Sequence, residues 1–310
     1  MGAIISRFAP APTGFLHLGH VVNALWVWQT ADRVLLRIED HDRQRSRPEF
    51  EAAIVEDLDW LGFVPDGPAV RQRDRGDIYS QALETLKHQQ LVYGCDCTRT
   101  KIARAGLKAC ATSATPDETL ARAGLKAGAT STTAGEPFVA QPLRAADDEL
   151  RYPGTCRDRG LVDAPGAGLR VRFEPSVERF VDLRHGPQEQ RPAEQCGDLL
   201  IRDREGNWTY QFAVTVDDYV QGVTHVIRGD DLLASTGRQL QLARLLGRRE
   251  PPLFLHHALI MKSATQKLSK SDGDTGVRDL RARGWTPAQV IARARELSSL
   301  KAQGSRLKAH

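Results

Sequence analysis

Apolar positions cluster early in the chain. "AIISRF", from Ala3, is a short apolar run that reads as a buried strand. The spacing in "GHVVNALWVWQTA" predicts a helix starting after Gly14, with its apolar positions toward a sheet. "RVLLRIED", from Arg33, is a second apolar run ending in acids, hence a second strand. Strand, glycine-containing turn, helix and strand make a βαβ unit, which implies a parallel sheet. Ligands of such sheets sit beyond the carboxyl ends of the strands, where "RFAPAPTG" and "IEDHD" both fall.

The pattern resumes near Cys196. "DLLIRD", "REGN" and "WTYQFAV" suggest a hairpin around a glycine turn, and "THVIRGDD" reads as another buried strand ending in charge. "STGRQLQLARLLG" predicts a helix capped by Ser235 or Thr236, and "TPAQVIARARELSSL" one capped by Thr286 with Pro287 first. The middle, from about Tyr93 to Arg159, carries a near-perfect duplication: "ARAGLKACATS" from Ala103 recurs as "ARAGLKAGATS" from Ala121. Two copies are too few for a solenoid, so the segment reads as a surface insertion. Cys110 in one copy is matched by Gly128 in the other, so neither copy's shape needs a thiol there.

Composition adds bounds rather than identity. With 310 residues, 41% hydrophobic and 26% charged, the chain can bury a sizeable core, and a net charge of +4 permits a nucleic-acid partner without demanding one. Five cysteines, an odd count, argue against a complete disulfide framework and for a reducing compartment. No basic region precedes an apolar run at the N-terminus, so no secretory leader is expected. Gly2 and Ser6 match a lipidation pattern, but the strand expected through Ile4, Ile5 and Phe8 could not leave with a lipid. No segment approaches membrane-spanning length. A cytoplasmic monomer without membrane contact is the expectation.

Candidate chemistry begins with "HLGH". His17 and His20 at three-residue spacing share one helix face, and Gly19 between them would let a flat base lie against the backbone. A strand-to-helix turn suits phosphate, and two imidazoles can donate hydrogen bonds as phosphoryl charge grows. Alone, the pair reads better as a metal pair or as two satisfied surface histidines than as a phosphate site. "QKLSKSDG" supplies a second element, with Lys267 and Lys270 three apart beside Ser269 and Ser271.

Together, "HLGH" after the first strand and "KLSKS" after the last resemble the paired motifs of class I aminoacyl-tRNA synthetases. "RFAPAPTGFLHLGH", "LLRIEDHD", "WTYQFAVTVDD", "THVIRGDDLLASTGRQ" and "KLSKSDG" resemble, block by block, the glutamyl branch of that class, over most of Ile4 to Gly273 apart from the insertion. The resemblance implies an α/β fold: a Rossmann-type parallel-sheet catalytic domain with an inserted zinc-binding, acceptor-type subdomain. The expected divisions are 1–92 for the first half of the catalytic domain, 93–195 for the insertion with its duplicated 103–131, 196–275 for the second half, and 276–310 for a helical stub.

The same resemblance assigns roles. ATP with Mg²⁺ would be held by Thr13, His17, Gly19, His20, Asp230 and Lys270, with Lys267 helping at the leaving pyrophosphate. L-Glutamate would be held by Arg7 and Arg228 on carboxylates, Glu39 and the Ala9 carbonyl at the ammonium, and Tyr210 along the side chain. Two rigid donor forks suit a dicarboxylic amino acid. Ala11 departs from the family's usual serine, and Val214 stands where glutamyl-tRNA synthetases often carry asparagine. Losing one neutral hydrogen bond at Ala11 is expected to weaken substrate binding about tenfold.

"YGCDCTR" and "RYPGTC" supply Cys95, Cys97, Tyr152 and Cys156, which resemble the three-thiolate, one-tyrosine zinc site of a subset of the branch. Cys110 and Cys196 read as structural. From Asp272 only about 40 residues remain, near the lower limit for an independent domain, so an anticodon-binding region is not expected. This layout resembles stand-alone members that activate glutamate without tRNA, then esterify the queuosine base in the anticodon stem-loop of tRNA(Asp). A truncated enzyme charging tRNA(Glu) and a non-catalytic RNA-binding paralogue stay open at this point.

Overall fold

The structure is a computed structural model that describes residues 2–42, 44–104, 150–161, 164–260 and 276–298. Lys267, Lys270 and most of the duplicated segment 103–131, with Cys110, lie outside the described residues. Strand β1 (Ile5–Phe8), helix α1 (Leu18–Thr30) and strand β2 (Arg33–Ile38) form the expected βαβ unit, with Ile5 opposite Arg33 and Phe8 opposite Leu36 in parallel register. Helix α2 (Pro48–Leu61) leads to β3 (Val70–Arg71), which adds to β2 in parallel. After α3 (Gly76–His88), strand β4 (Val92–Cys95) opens a second sheet with β5 (Gly168–Val171) and β8 (Leu199–Arg202), both pairings antiparallel.

A third sheet runs in the order β7 (Gly186–Gln190), β6 (Glu178–Asp182), β10 (Leu253–His257), β9 (His225–Gly229). It abuts the first: Thr224, just before β9, donates its backbone N–H to the Ile5 carbonyl at 2.9 Å. Further helices are α4 (Pro192–Gln195), α5 (Tyr210–Val220), α6 (Thr236–Leu245), α7 (Val277–Ala282) and α8 (Pro287–Leu297). The sheets cut across the division at residue 195 expected from sequence. Strands β6 and β7 join the sheet of β9 and β10, whereas β8, beyond that boundary, joins β4 and β5.

The main core gathers Val21, Val22, Leu25, Leu36, Ile38, Ile54 and Ile227 with Val290 and Ala294 of α8. Two expectations about elements change. Helix α1 starts at Leu18, not after Gly14, because His17 is its N-cap. "WTYQFAV" is not a second hairpin strand. One bridge, Arg202 to Trp208, closes the turn, and then α5 begins at Tyr210. Its aromatic and β-branched residues favour strand locally, but helical spacing buries Phe212, Ala213 and Val216 against Leu242 in a second core. Burial over a whole helix face outweighs single-residue propensity. At α6 the boundary residue Ser235 makes no side-chain cap bond, and Thr236 is already helical.

Asp57 on α2 is fully buried, neither carboxylate oxygen accepts a hydrogen bond, and Arg278 Nε stands 3.9 Å away. Burial raises its carboxyl to about 6, with Arg278 opposing. A folded-state pKa above the unfolded one means that stability falls as pH rises from roughly 4 to 6. Asp57→Asn is therefore expected to stabilise the protein at pH 7 by about 1–3 kcal/mol. The gain should shrink below about pH 4, where the wild-type group is already neutral in both states. Urea unfolding of both proteins at pH 4, 5.5 and 7 checks this, and a constant difference would contradict it.

Candidate active site

The carboxyl ends of β1, β2, β9 and β10 converge on a cleft of about 400 Å³. Arg7, Ala9, Ala11, His17, Gly19, His20, Glu39, Tyr210 and Arg228 all line it. Nine residues singled out from sequence thus meet in one place, as the position of ligands in parallel sheets requires. Thr13 and Asp230 do not line the cleft. Asp230 instead meets His185 Nε2 at 2.8 Å and Arg184 at 3.6 Å, and its neighbour Asp231 reaches the wall. Val214 is fully buried and is not part of the lining. The described chain stops at Ile260 in the cleft wall and resumes at Gly276, which bridges His17.

The two histidines cap their own helix. His17 Nδ1 accepts the Gly19 N–H at 3.0 Å, and His20 Nδ1 accepts the His17 N–H at 3.1 Å, a reciprocal capping box in imidazoles. Because both Nδ1 atoms accept, each neutral ring carries its proton on Nε2. The rings lie 3.9 Å apart. Gly19 serves this cap directly: a Cβ there would come within 2.8 Å of His17 Cε1. The glycine is thus required by the imidazole as well as by any base lying on the backbone.

The arginines differ sharply in their surroundings. Arg7 Nε donates to Asp218 at 2.9 Å, and Arg37 Nη1 donates to the same oxygen at 2.7 Å. Arg37 also reaches Glu39 at 3.2 Å and Asp217 at 3.9 Å, while Arg75 meets Asp217 at 2.5 Å. In this network three guanidiniums (Arg7, Arg37, Arg75) face three carboxylates (Glu39, Asp217, Asp218). Burial alone would raise Asp218, but Arg7 and Arg37 outweigh it and hold its carboxyl at about 2. Glu39 is shifted the other way: burial raises it against the pull of Arg37 and Arg7.

Arg228 has no such balance. It is 4% exposed, and among the described residues its partners are all neutral. Nε donates to His256 Nε2 at 2.9 Å, Nη1 to Gln239 Oε1 at 2.7 Å, and Nη2 to Thr236 Oγ1 at 2.9 Å and the Leu232 carbonyl at 3.4 Å. Burial lowers its pKa and outweighs the opposing pull of Asp218 and Asp231, neither of which is hydrogen-bonded to it. Tyr210 stands across the cleft wall with its phenol raised to about 12 by burial and by Glu39. Sequence reasoning did not single out Arg37, Asp217, Asp218, Gln239, Asp182 or His256, because a buried polar residue announces itself only through a distant partner.

A second constellation lies at the end of β4. The sulfurs of Cys95, Cys97 and Cys156 all fall within 4.8 Å of one another, with Cys97 and Cys156 3.5 Å apart. Tyr152 Oη accepts the Cys156 N–H at 2.8 Å and lies 3.5 Å from Cys95 Sγ. Gly197 permits this closure: its φ is +68°, and a Cβ there would meet the Tyr152 carbonyl at 2.1 Å. Zinc bonded to thiolates at about 2.3 Å in a tetrahedron sets sulfurs roughly 3.8 Å apart, so the donors fit such an ion. Cys196 is buried elsewhere, its thiol on the Pro192 and Gly197 carbonyls. A further cavity of about 940 Å³, lined by Cys95, Cys97, Arg170 and Gln211, shares Tyr210 with the cleft.

The chain belongs to the family described as tRNA synthetases class I (E and Q), catalytic domain, which it matches over residues 3–140 and 164–302. A glutamyl-Q tRNA(Asp) synthetase of Rhodobacter capsulatus is 37% identical, the match covering 93% of this chain and 98% of that protein. Another of that name, from Bordetella bronchiseptica, is 42% identical over 87% of this chain and 75% of that protein. Among solved structures, a glutamate tRNA ligase from Elizabethkingia meningosepticum in complex with its amino acid superposes with a TM-score of 0.64 at 29% identity. That match covers 88% of this chain, which spans 53% of that protein's length. No described helix is long and apolar enough to cross a membrane.

Proposed function

We propose that the protein activates L-glutamate with ATP to glutamyl-adenylate without tRNA, then transfers the glutamyl group to the queuosine base in the anticodon of tRNA(Asp). The observation that carries the reading is Arg228: a buried cation, hydrogen-bonded only to neutral groups, opening onto the same cleft as the two capping histidines. Glutamate has one net negative charge and glutamine none. Arg7, the other arginine of the lining, is already paired with Asp218, so in this reading Arg228 is the group that selects a second carboxylate.

In this reading Arg7 and Arg228 take the carboxylates, and Glu39 and the Ala9 carbonyl take the ammonium. A carboxylate oxygen of glutamate attacks the α-phosphorus, and the bond to pyrophosphate breaks. His17 and His20 meet the phosphates with Nε2–H groups that their caps have already oriented, which lowers the cost of reorganisation during reaction. Lys267 and Lys270 would neutralise the leaving pyrophosphate, and Mg²⁺ accompanying ATP would supply further charge neutralisation. A hydroxyl of the modified base then attacks the glutamyl carbonyl and releases AMP. The cavity that meets the cleft at Tyr210 is where RNA would approach. Cys95, Cys97, Cys156 and Tyr152 would hold structural zinc beside it.

Glutamate-dependent ATP–pyrophosphate exchange with tRNA omitted tests the first half. Lys270→Ala is expected to slow that exchange about 100–1000-fold, as for loss of one preorganised donor. Unchanged exchange would remove the lysine from its role. For the second half, labelled glutamate should appear on the anticodon fragment of queuosine-bearing tRNA(Asp). Label on the 3′-terminal fragment of tRNA(Glu) instead would identify an enzyme that charges tRNA(Glu).

A further inference from the structure

Behind Arg228 lies a pair of side chains that touches neither end of the cleft. His256, on β10, is fully buried, and so is Asp182 at the end of β6. Asp182 Oδ2 accepts the His256 Nδ1–H at 2.7 Å and the His256 backbone N–H at 3.0 Å. Its other oxygen accepts the N–H groups of Arg184 and His185 at 3.0 and 2.9 Å, so the carboxylate is locked into the β6–β7 turn. With the proton on Nδ1, Nε2 must be the acceptor, and it faces Arg228 Nε at 2.9 Å.

The order of the three groups matters. A carboxylate placed directly on Arg228 would orient it equally well but would cancel its charge, as Asp218 does for Arg7 and Arg37. Here a neutral ring separates the anion from the guanidinium. The arginine is fixed by an acceptor without being paired by an ion, and its charge remains for a ligand. Gln239, Thr236 and the Leu232 carbonyl, likewise neutral, complete the cradle.

We infer that Asp182 and His256 are positioning residues that aim Arg228 at a substrate carboxylate while leaving its charge unneutralised, and so set the affinity for the amino acid. The inference rests on the glutamate reading above and extends it to two residues outside the cleft. It also accounts for a histidine at a site where a structural role alone would be met by a carboxylate.

The test is steady-state pyrophosphate exchange, with glutamate and ATP varied in turn, on the full chain. His256→Leu removes the acceptor and is expected to raise the KM for glutamate roughly tenfold to a hundredfold, the usual worth of a hydrogen bond to a charged group. The KM for ATP should stay near the wild-type value. His256→Gln, whose amide offers both an acceptor for Arg228 and a donor for Asp182, should restore most of the glutamate affinity. An unchanged glutamate KM in the leucine variant would overturn the inference. So would a parallel rise for both substrates, or a glutamine variant as defective as the leucine one. Should the leucine variant not fold, Asp182→Asn carries the same test, with a smaller rise expected for glutamate alone and no rise overturning the inference. Wild-type protein with no glutamate-dependent exchange would overturn the glutamate reading and this inference with it. An active wild type whose variants show no split overturns the inference only.

Discussion

Arg228→Leu is expected to raise the KM for glutamate by about three orders of magnitude while the KM for ATP stays within a small factor of wild type. The reasoning is electrostatic. The guanidinium is 4% exposed and its hydrogen-bond partners are neutral, so in the proposed reading a ligand carboxylate would be its counter-ion at a largely desolvated charge. Removing one member of a buried charge pair costs roughly 3–5 kcal/mol, because the other is left desolvated and unpaired. At about 1.4 kcal/mol per tenfold change in affinity, that corresponds to two to three and a half decades. Arg228→Lys separates charge from shape: the ammonium keeps the charge but cannot hold His256, Gln239 and Thr236 together with a ligand. It should lie between leucine and wild type. Equal glutamate KM values for Arg228→Leu and wild type would sink the proposed substrate assignment.

The second large effect concerns the thiols. Removing zinc with a strong chelator is expected to loosen the Cys95–Cys97–Cys156–Tyr152 cluster and lower the melting temperature in a single lobe, with the βαβ core retained. Structural zinc contributes on the order of 10–16 kcal/mol in small domains, far more than the few apolar side chains around this cluster can supply. The local core there consists of Tyr93, Ile102 and Tyr152 with the cysteines themselves. Three thiols also crowd one another: burial, then the nearby Cys156 and Cys95, raise the Cys97 thiol to about 12. A bound cation relieves that crowding by ionising the set. Cys156→Ala should reproduce the chelated state. Metal analysis of protein purified without chelator should find about one zinc per chain; a metal-free protein with an unchanged melting curve after chelation would remove the ion from the account.

How much of this was legible beforehand varies by element, and the variation has a cause. His17, Gly19 and His20 could be read because their geometry is set within a single helical turn. Their actual form, two imidazoles capping the helix they stand on, was not foreseen, although the spacing that produces it was visible. Cys95 and Cys97 were legible as a pair by adjacency, but their meeting with Cys156 depends on a backbone approach at Gly197. The strand-rich composition of "WTYQFAV" misled, because the helix of Tyr210–Val220 is chosen by the core it packs on.

By itself the sequence determined the βαβ start, the placing of the site at the carboxyl ends of the strands, and the family. All three follow from short-range periodicity and local motifs. Only the tertiary structure decided which charges are matched. Arg37 finds Asp218 across 181 residues and His256 finds Asp182 across 74. No local pattern encodes such a pairing, because the energy that selects it is the cost of burying each charge without the other. Among the described residues, that Arg228 sits at the cleft on neutral hydrogen-bond partners alone becomes visible only once the chain is folded.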